Sequence, residues 1–286
     1  MSYRYTSEDL KKDIYSGTPP NVTEYLFQRI QCDIYRGVHV SQHNRYTKDE
    51  IIVILRALKE TLESNKISHL RIRTTDSSKR PDNTSEEELY AQMTQKLFLS
   101  LNRITQDSLR KNFFVDMERM GLIYRYNKHG QRHLVGGPNM HYHSVNIGPL
   151  GEEFLQADPL NQDKCWNLAL ANLLAFHGFE SRLYGLVSAL GYIDLVEFAF
   201  FASDVSKTPQ NIVSLINEFR ALPNGEQIID SIKKYANPTD NDIYMGQNKP
   251  ALRDYNNWIN EAMQVFKCLQ DSCWFCVDCN WCLRVR

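Results

Sequence analysis

Residues 102–155 read NRITQDSLRKNFFVDMERMGLIYRYNKHGQRHLVGGPNMHYHSVNIGPLGEEFL, and their pattern decides the fold. Leu109, Phe113, Met117 and Met120 fall at the spacing that lays one apolar stripe along a helix. Gly121 follows, placed to take the left-handed conformation that closes a helix. The apolar run Leu122-Ile123-Tyr124 predicts a strand, and residues 127–130 form a polar, glycine-containing tip. Residues 144–147 predict a second strand, after which Gly148-Pro149 opens a further helix with the phrase GPLGEEFL.

Helix, glycine stop, strand, loop, strand and new helix is the order of a winged helix, a helix-turn-helix variant carrying a β-hairpin wing. Charge agrees with that order. Residues 101–133 carry seven basic side chains (Arg103, Arg110, Lys111, Arg119, Arg125, Lys128, Arg132) against three acidic ones (Asp107, Asp116, Glu118), in a chain of net charge −1. Arg110, Lys111 and Arg119 lie off the apolar stripe, so they are expected to point outward from a helix of groove-sized diameter. Gln106, Arg110, Lys111 and Arg119 are the expected DNA contacts of this helix, joined by Arg103 at its start and by Lys128 and Arg132 on the wing. The bland alternative is a solvated helix face beside an ordinary hairpin, since winged helices also serve protein interaction.

A chain of 286 residues suits two or three modules. Its 42% hydrophobic and 23% charged residues are those of a globular protein able to bury a core. No apolar run is long enough to span a membrane, and the N-terminal residues lack a signal-peptide core, so the expected compartment is cytoplasmic. Near-zero net charge argues against a non-specific nucleic-acid coat and leaves room for a specific binder with local basic patches.

The opening, to about residue 41, reads as aromatic and irregular, with a turn at 17–20 followed by an amphipathic segment at 22–35. Residues 47–64 predict a helix with a Thr47/Glu50 capping box and Ile51, Ile54, Leu55, Leu58 and Leu62 on one face. The polar stretch that follows concentrates Lys66, Arg71, Arg73, Lys79 and Arg80. It reads equally as an arm along phosphates, with Arg71, Arg73, Lys79 and Arg80 as contacts, or as a solvated connection. A helix with three glutamates in its first turn runs over 85–101, where the helix dipole favours acids. After residue 155 the chain is mainly helical, with Gly178 and Gly191 as stops and NPTDND as a loop. A last helix is predicted over 252–269. It carries Lys249, Arg253, Asn256, Asn257 and Asn260 near its start as a second polar set able to pair with base edges or phosphates. The tail, DSCWFCVDCNWCLRVR, alternates around a turn-like Asp278-Cys279-Asn280 and predicts a hairpin in which Trp274, Phe275 and Trp281 seek burial. The expected class is therefore α+β and predominantly helical, with two winged-helix modules joined by a helical linker region. Its segments are 1–84 (helical, with a basic arm), 85–158 (first winged helix), 159–248 (linker) and 249–286 (helix and wing of the second).

RMGLIYRY with its wing, VNIGPLGEEFL, LVSALGYIDLVEFAFFASD with NIVSLINEFRAL, and RDYNNWINEAMQVFKCL followed by the cysteine-rich tail occur in that order over residues 95–286. This region resembles the DNA-recognition part of type IIS restriction and nicking endonucleases of the AlwI kind, and more remotely of the FokI kind. The resemblance implies tandem winged helices that read a short asymmetric duplex site. It also implies a nuclease domain further along the chain or on a partner subunit, with Mg²⁺ belonging there.

The sequence itself carries no recognisable nuclease motif. Pro81-Asp82 has no acid-x-Lys after it, and Asp9-Leu10-Lys11 lies upstream without a partner, so neither completes the carboxylate–lysine set that holds Mg²⁺. His133 with His141 and His143 reads as solvent-facing or phosphate-near rather than as a metal pair. Cys273, Cys276, Cys279 and Cys282 have a spacing that suits zinc or an iron–sulfur cluster. Strand alternation sends Cys273 and Cys276 to opposite faces, which favours the hairpin. No catalytic residue and no cofactor are expected in this chain, and its expected partner is double-stranded DNA. Three readings stay open: recognition part of a restriction enzyme, transcriptional regulator, and protein-interaction scaffold.

Overall fold

A computed structural model describes residues 5–15, 20–31, 37–40, 46–72, 85–102, 104–135, 142–237 and 254–286. In chain order the helices are α1 (Ser7–Tyr15), α2 (Pro20–Gln31), α3 (Lys48–Asn65) and α4 (Ser85–Leu101). Next comes a continuous helix built of α5 (Gln106–Ser108), a π-helical turn π1 (Leu109–Phe113) and α6 (Phe114–Arg119). Then follow α7 (Pro149–Gln156), α8 (Pro159–Leu173), α9 (Phe179–Leu190), α10 (Leu195–Glu197) with π2 (Phe198–Ala202), α11 (Pro209–Arg220), α12 (Gly225–Tyr235) and α13 (Tyr255–Gln270). Strands are short: β1 (Leu70–Arg71), β2 (Ile123–Tyr126), β3 (Ser144–Ile147), β4 (Phe275–Val277) and β5 (Leu283–Val285). The described residues are thus predominantly helical, with two small antiparallel sheets.

Contacts divide the chain into two units. One holds residues 43–178 and 271–273; the other holds 1–42, 179–270 and 274–286. This division runs on different lines from the four sequential segments. Helix α3 packs on α4, α7 and β3, so it joins the stretch that follows it rather than the N-terminal helices. Helices α1 and α2 pack against α12 and α11, from much later in the chain.

In the 43–178 unit, Thr47 caps α3 with the reciprocal Thr47/Glu50 pair that its sequence requires. Ile51, Ile52, Ile54, Leu55 and Leu58 fill its buried face. Strand β1 then pairs with β3, which pairs with β2, giving the order β1-β3-β2. Gly121 ends α6 at φ +81°. Gly148 donates its N–H to the Leu122 carbonyl at 2.9 Å, tying the exit of the hairpin to its entrance.

In the other unit, α13 leads into the β4–β5 hairpin. Ile193, just after α9, exchanges backbone hydrogen bonds of 3.1 and 2.8 Å with Leu283 of β5. The order is therefore Ile193, β5, β4, with the last strand in the middle, as in the first unit. Asp278 closes the hairpin turn by accepting from the N–H groups of Asn280 and Cys282. Phe275 is buried as predicted, but Trp274 is 48% exposed and meets Tyr184 edge-on, and Trp281 is half-buried beneath Lys267. A three-residue strand has too few inward positions to bury three aromatic rings. The opening is also more regular than its sequence suggests: residues 7–15 form α1, with Leu10 and Ile14 buried. Of the predicted NPTDND loop, all but Asn237 lies outside the described residues.

Candidate nucleic-acid interface

The α5–π1–α6 helix is held by both of its ends. Thr105 caps it through Ser108, and Tyr90 of α4 donates its hydroxyl to the Gln106 carbonyl at 2.6 Å. Burial pushes the Tyr90 hydroxyl pKa well above its ordinary value, so it stays a donor. At the other end Asn172 donates to the Met120 carbonyl at 3.0 Å. Leu109, Phe113, Met117 and Met120 are buried, the interior stripe that the spacing predicted, and Phe114 is buried with them.

What is left outward is narrower than the sequence suggested. Lys111 and Arg119 are exposed, and the half-buried Asn112 and Val115 lie between them on the same side. Arg110 is half-buried and paired with Asp107 at 3.3 Å, the same acid that Lys111 reaches at 3.3 Å. The side-chain oxygen of Gln106 is buried. Asn112 was not singled out from the sequence. It lies within the π-helical turn, half-buried next to the exposed Lys111.

Two of the three acids of this stretch, Asp116 and Glu118, are interior, and so is Arg125. Arg125 pairs with Glu118, lies 3.4 Å over the Tyr142 ring and donates to its hydroxyl at 2.7 Å. His133 approaches the same Glu118 oxygen at 2.8 Å. Arg125 is thus a structural tie between α6 and the hairpin, not part of a basic surface. Asp116 and Glu118 are also interior, although Asp116 pairs with Arg119 at 3.6 Å, so the described surface keeps its sign: one acid, Asp107, against Arg110, Lys111, Arg119, Lys128 and Arg132.

On the hairpin, Lys128 is exposed, and Arg132 lies 3.4 Å over the Tyr124 ring. Asn127 organises the tip by accepting from the N–H groups of His129 and Gln131. Arg71 sits in β1, half-buried and 3.4 Å from Glu87. Arg73, Lys79, Arg80, Arg103, Lys249 and Arg253 lie outside the described residues, as does His141.

In α13, Asn256 is exposed and Asn257 and Asn260 are half-buried, while Trp258, Glu261, Ala262, Gln264, Val265, Phe266, Cys268 and Leu269 are buried. Its polar strip is confined to the first turns. Cys276 stands opposite Arg284 in the hairpin register, and Cys273 and Cys279 are exposed. Among the described residues no group of three or more His, Cys, Asp or Glu side chains is placed to hold a metal ion, so the four thiols do not converge. No helix among them is long and apolar enough to cross a membrane.

Residues 47–158, less than half of the chain, match the family model described as Type IIS restriction enzyme MboII middle domain. No curated protein and no solved structure matches the chain. The match opens at the N-cap of α3 and closes just past α7, so it takes in the sheet β1-β3-β2 and every helix packed on it up to that point. The likeness to a type IIS restriction enzyme region holds at that level, and it lies further toward the N-terminus than the resemblance drawn from sequence over 95–286.

Proposed function

We propose that the 43–178 unit is a winged helix that binds double-stranded DNA sequence-specifically, as the recognition part of a type IIS restriction endonuclease of the AlwI kind. The observation that carries this reading is the coincidence of the MboII middle-domain match with the β1-β3-β2 unit bearing a basic outward helix face. In such a unit the α5–π1–α6 helix enters the major groove and the β2–β3 hairpin lies along the flanking backbone. Lys111, Asn112 and Arg119 face the groove, Arg110 stands at its margin, and Lys128 and Arg132 take phosphates. Lysine and arginine suit guanine edges and the amide of Asn112 suits adenine. The second unit, with Ile193, β5 and β4 in the same strand order, is the second winged helix of the pair, with Asn256, Asn257 and Asn260 as its polar set.

Cleavage, on this reading, belongs to a nuclease domain or subunit with its own Mg²⁺. No catalytic step is assigned to this chain. Selection of bound duplexes from a random pool tests the specificity. One short shared site, enriched without any divalent ion, is the expected result. A pool that binds but stays unenriched would contradict sequence-specific recognition.

A further inference from the structure

The turn after α3 and the root of the hairpin enclose a cleft of about 480 Å³ on the 43–178 unit. Lys66, His69 and Arg71 line one side, and Lys128 and His143 line the other. Among the described residues no aspartate or glutamate lines it. In a chain whose acids and bases nearly balance, that is a marked segregation. By contrast, the cleft between α10, α11 and α12 is lined by Asp194, Glu197, Glu226 and Asp230 beside Arg220 and Lys233, a mixture that repels or ignores anions.

The basic cleft is shaped by backbone as well as charge. Lys66 closes α3 in the left-handed conformation at φ +53°, which turns the chain back toward the sheet. His69 is fixed by an edge-on contact with Tyr126, ring centroids 4.6 Å apart, and by Ser68 at 2.9 Å from its Nδ1. The β1–β3 and β2–β3 pairings set the two walls. His143 donates its N–H to Tyr126 and accepts from Ile72 through its carbonyl, so its position is set by both strands. Among the described residues neither the Lys66 nor the Lys128 ammonium has an ion-pair partner, whereas Arg71 is paired with Glu87 at 3.4 Å.

We infer that this cleft is a phosphodiester-binding site that anchors the nucleic-acid backbone beside the root of the hairpin. Lys66, His69 and His143 thereby join Lys128 and Arg71 as backbone contacts. The inference rests on the DNA-binding reading for its duplex ligand, but the cleft's chemistry, cations and N–H donors without acids, is recognition of phosphate itself.

The test uses the full chain with Lys66→Asn and His69→Gln, alone and together, and a labelled mixed-sequence duplex titrated over a range of salt. Asparagine tolerates the left-handed backbone, so Lys66→Asn removes charge without straining the turn. Binding should weaken alike on every duplex, and the slope of log affinity against log salt should shrink by about 0.9 for each phosphate that is no longer neutralised. Side-chain NMR signals of His69 and His143, followed on adding single-stranded oligothymidylate, give a readout that needs no duplex recognition. Shifts of those signals without any duplex binding would remove the duplex reading and leave the cleft standing. An unchanged salt slope in the variants, while Lys111→Ala still weakens binding, would overturn the cleft alone. Silent histidine signals with both oligothymidylate and duplex would overturn it as well.

Discussion

Arg125 belongs by sequence to the most basic stretch of the chain, yet its side chain is 3% exposed and committed to Glu118 and Tyr142. Counting charges along the chain cannot separate it from Lys128, because its burial depends on Glu118, His133 and Tyr142 converging from three segments. Truncation leaves a buried carboxylate without its cation, which costs about 3–5 kcal/mol. Arg125→Ala should therefore lower the urea midpoint steeply, and a midpoint equal to that of the unaltered chain would show that the pair is dispensable. Glu180, in the first turn of α9, is a second case. Its Oε1 is buried, and desolvation raises its pKa from 4.5 to about 7. The fold thus favours the protonated acid. That contribution is intact below pH 4.5 and is lost as pH rises through about 7. Glu180→Gln should melt above the unaltered protein at pH 8 and together with it at pH 4. A gain of the same size at both pH values would contradict the assignment.

Longer elements were legible because their sequences repeat a period. The stripe Ile51, Ile54, Leu55 and Leu58 gave α3, and residues 85–101 and 144–147 form the helix and strand predicted there. The pieces that close each sheet were not legible. β1 has two residues and Ile193 makes a single bridge, too short for any alternation to register. The phrase GPLGEEFL carries its information in its second glycine. A Cβ at Gly151 would stand 2.1 Å from the Leu122 carbonyl oxygen, so α7 approaches the turn after α6 only with glycine there. Gly151→Ala should cost about 1–3 kcal/mol through overpacking, read in chemical denaturation, and should loosen the turn that follows the α5–π1–α6 helix. Stability equal to that of the parent would mean that α7 can shift without loss.

Across the whole molecule, contacts group the chain into two units, the second assembled from 1–42, 179–270 and 274–286, where the sequence was read as four consecutive segments. Reading along the chain marks boundaries where composition changes, and no such change marks helices that return to pack on one another. The tail hairpin was legible from its alternation; the partner strand at Ile193, far back in the chain, was not. The candidate interface was half legible. Its basic sign, its helix and the outward Lys111 and Arg119 came from sequence, whereas the addition of Asn112 and the half-burial of Arg110 required the burial pattern. The most direct test of the DNA-binding proposal is the affinity of the chain for its selected duplex in the presence of a chelator, compared with a Lys111→Ala, Arg119→Ala double variant of matched circular dichroism. The prediction is that the parent binds and leaves the duplex intact, while the double variant binds at least about tenfold more weakly, 1.4 kcal/mol or more. Equal affinity in the folded double variant, or cleavage that the chelator abolishes when it is added, would contradict it.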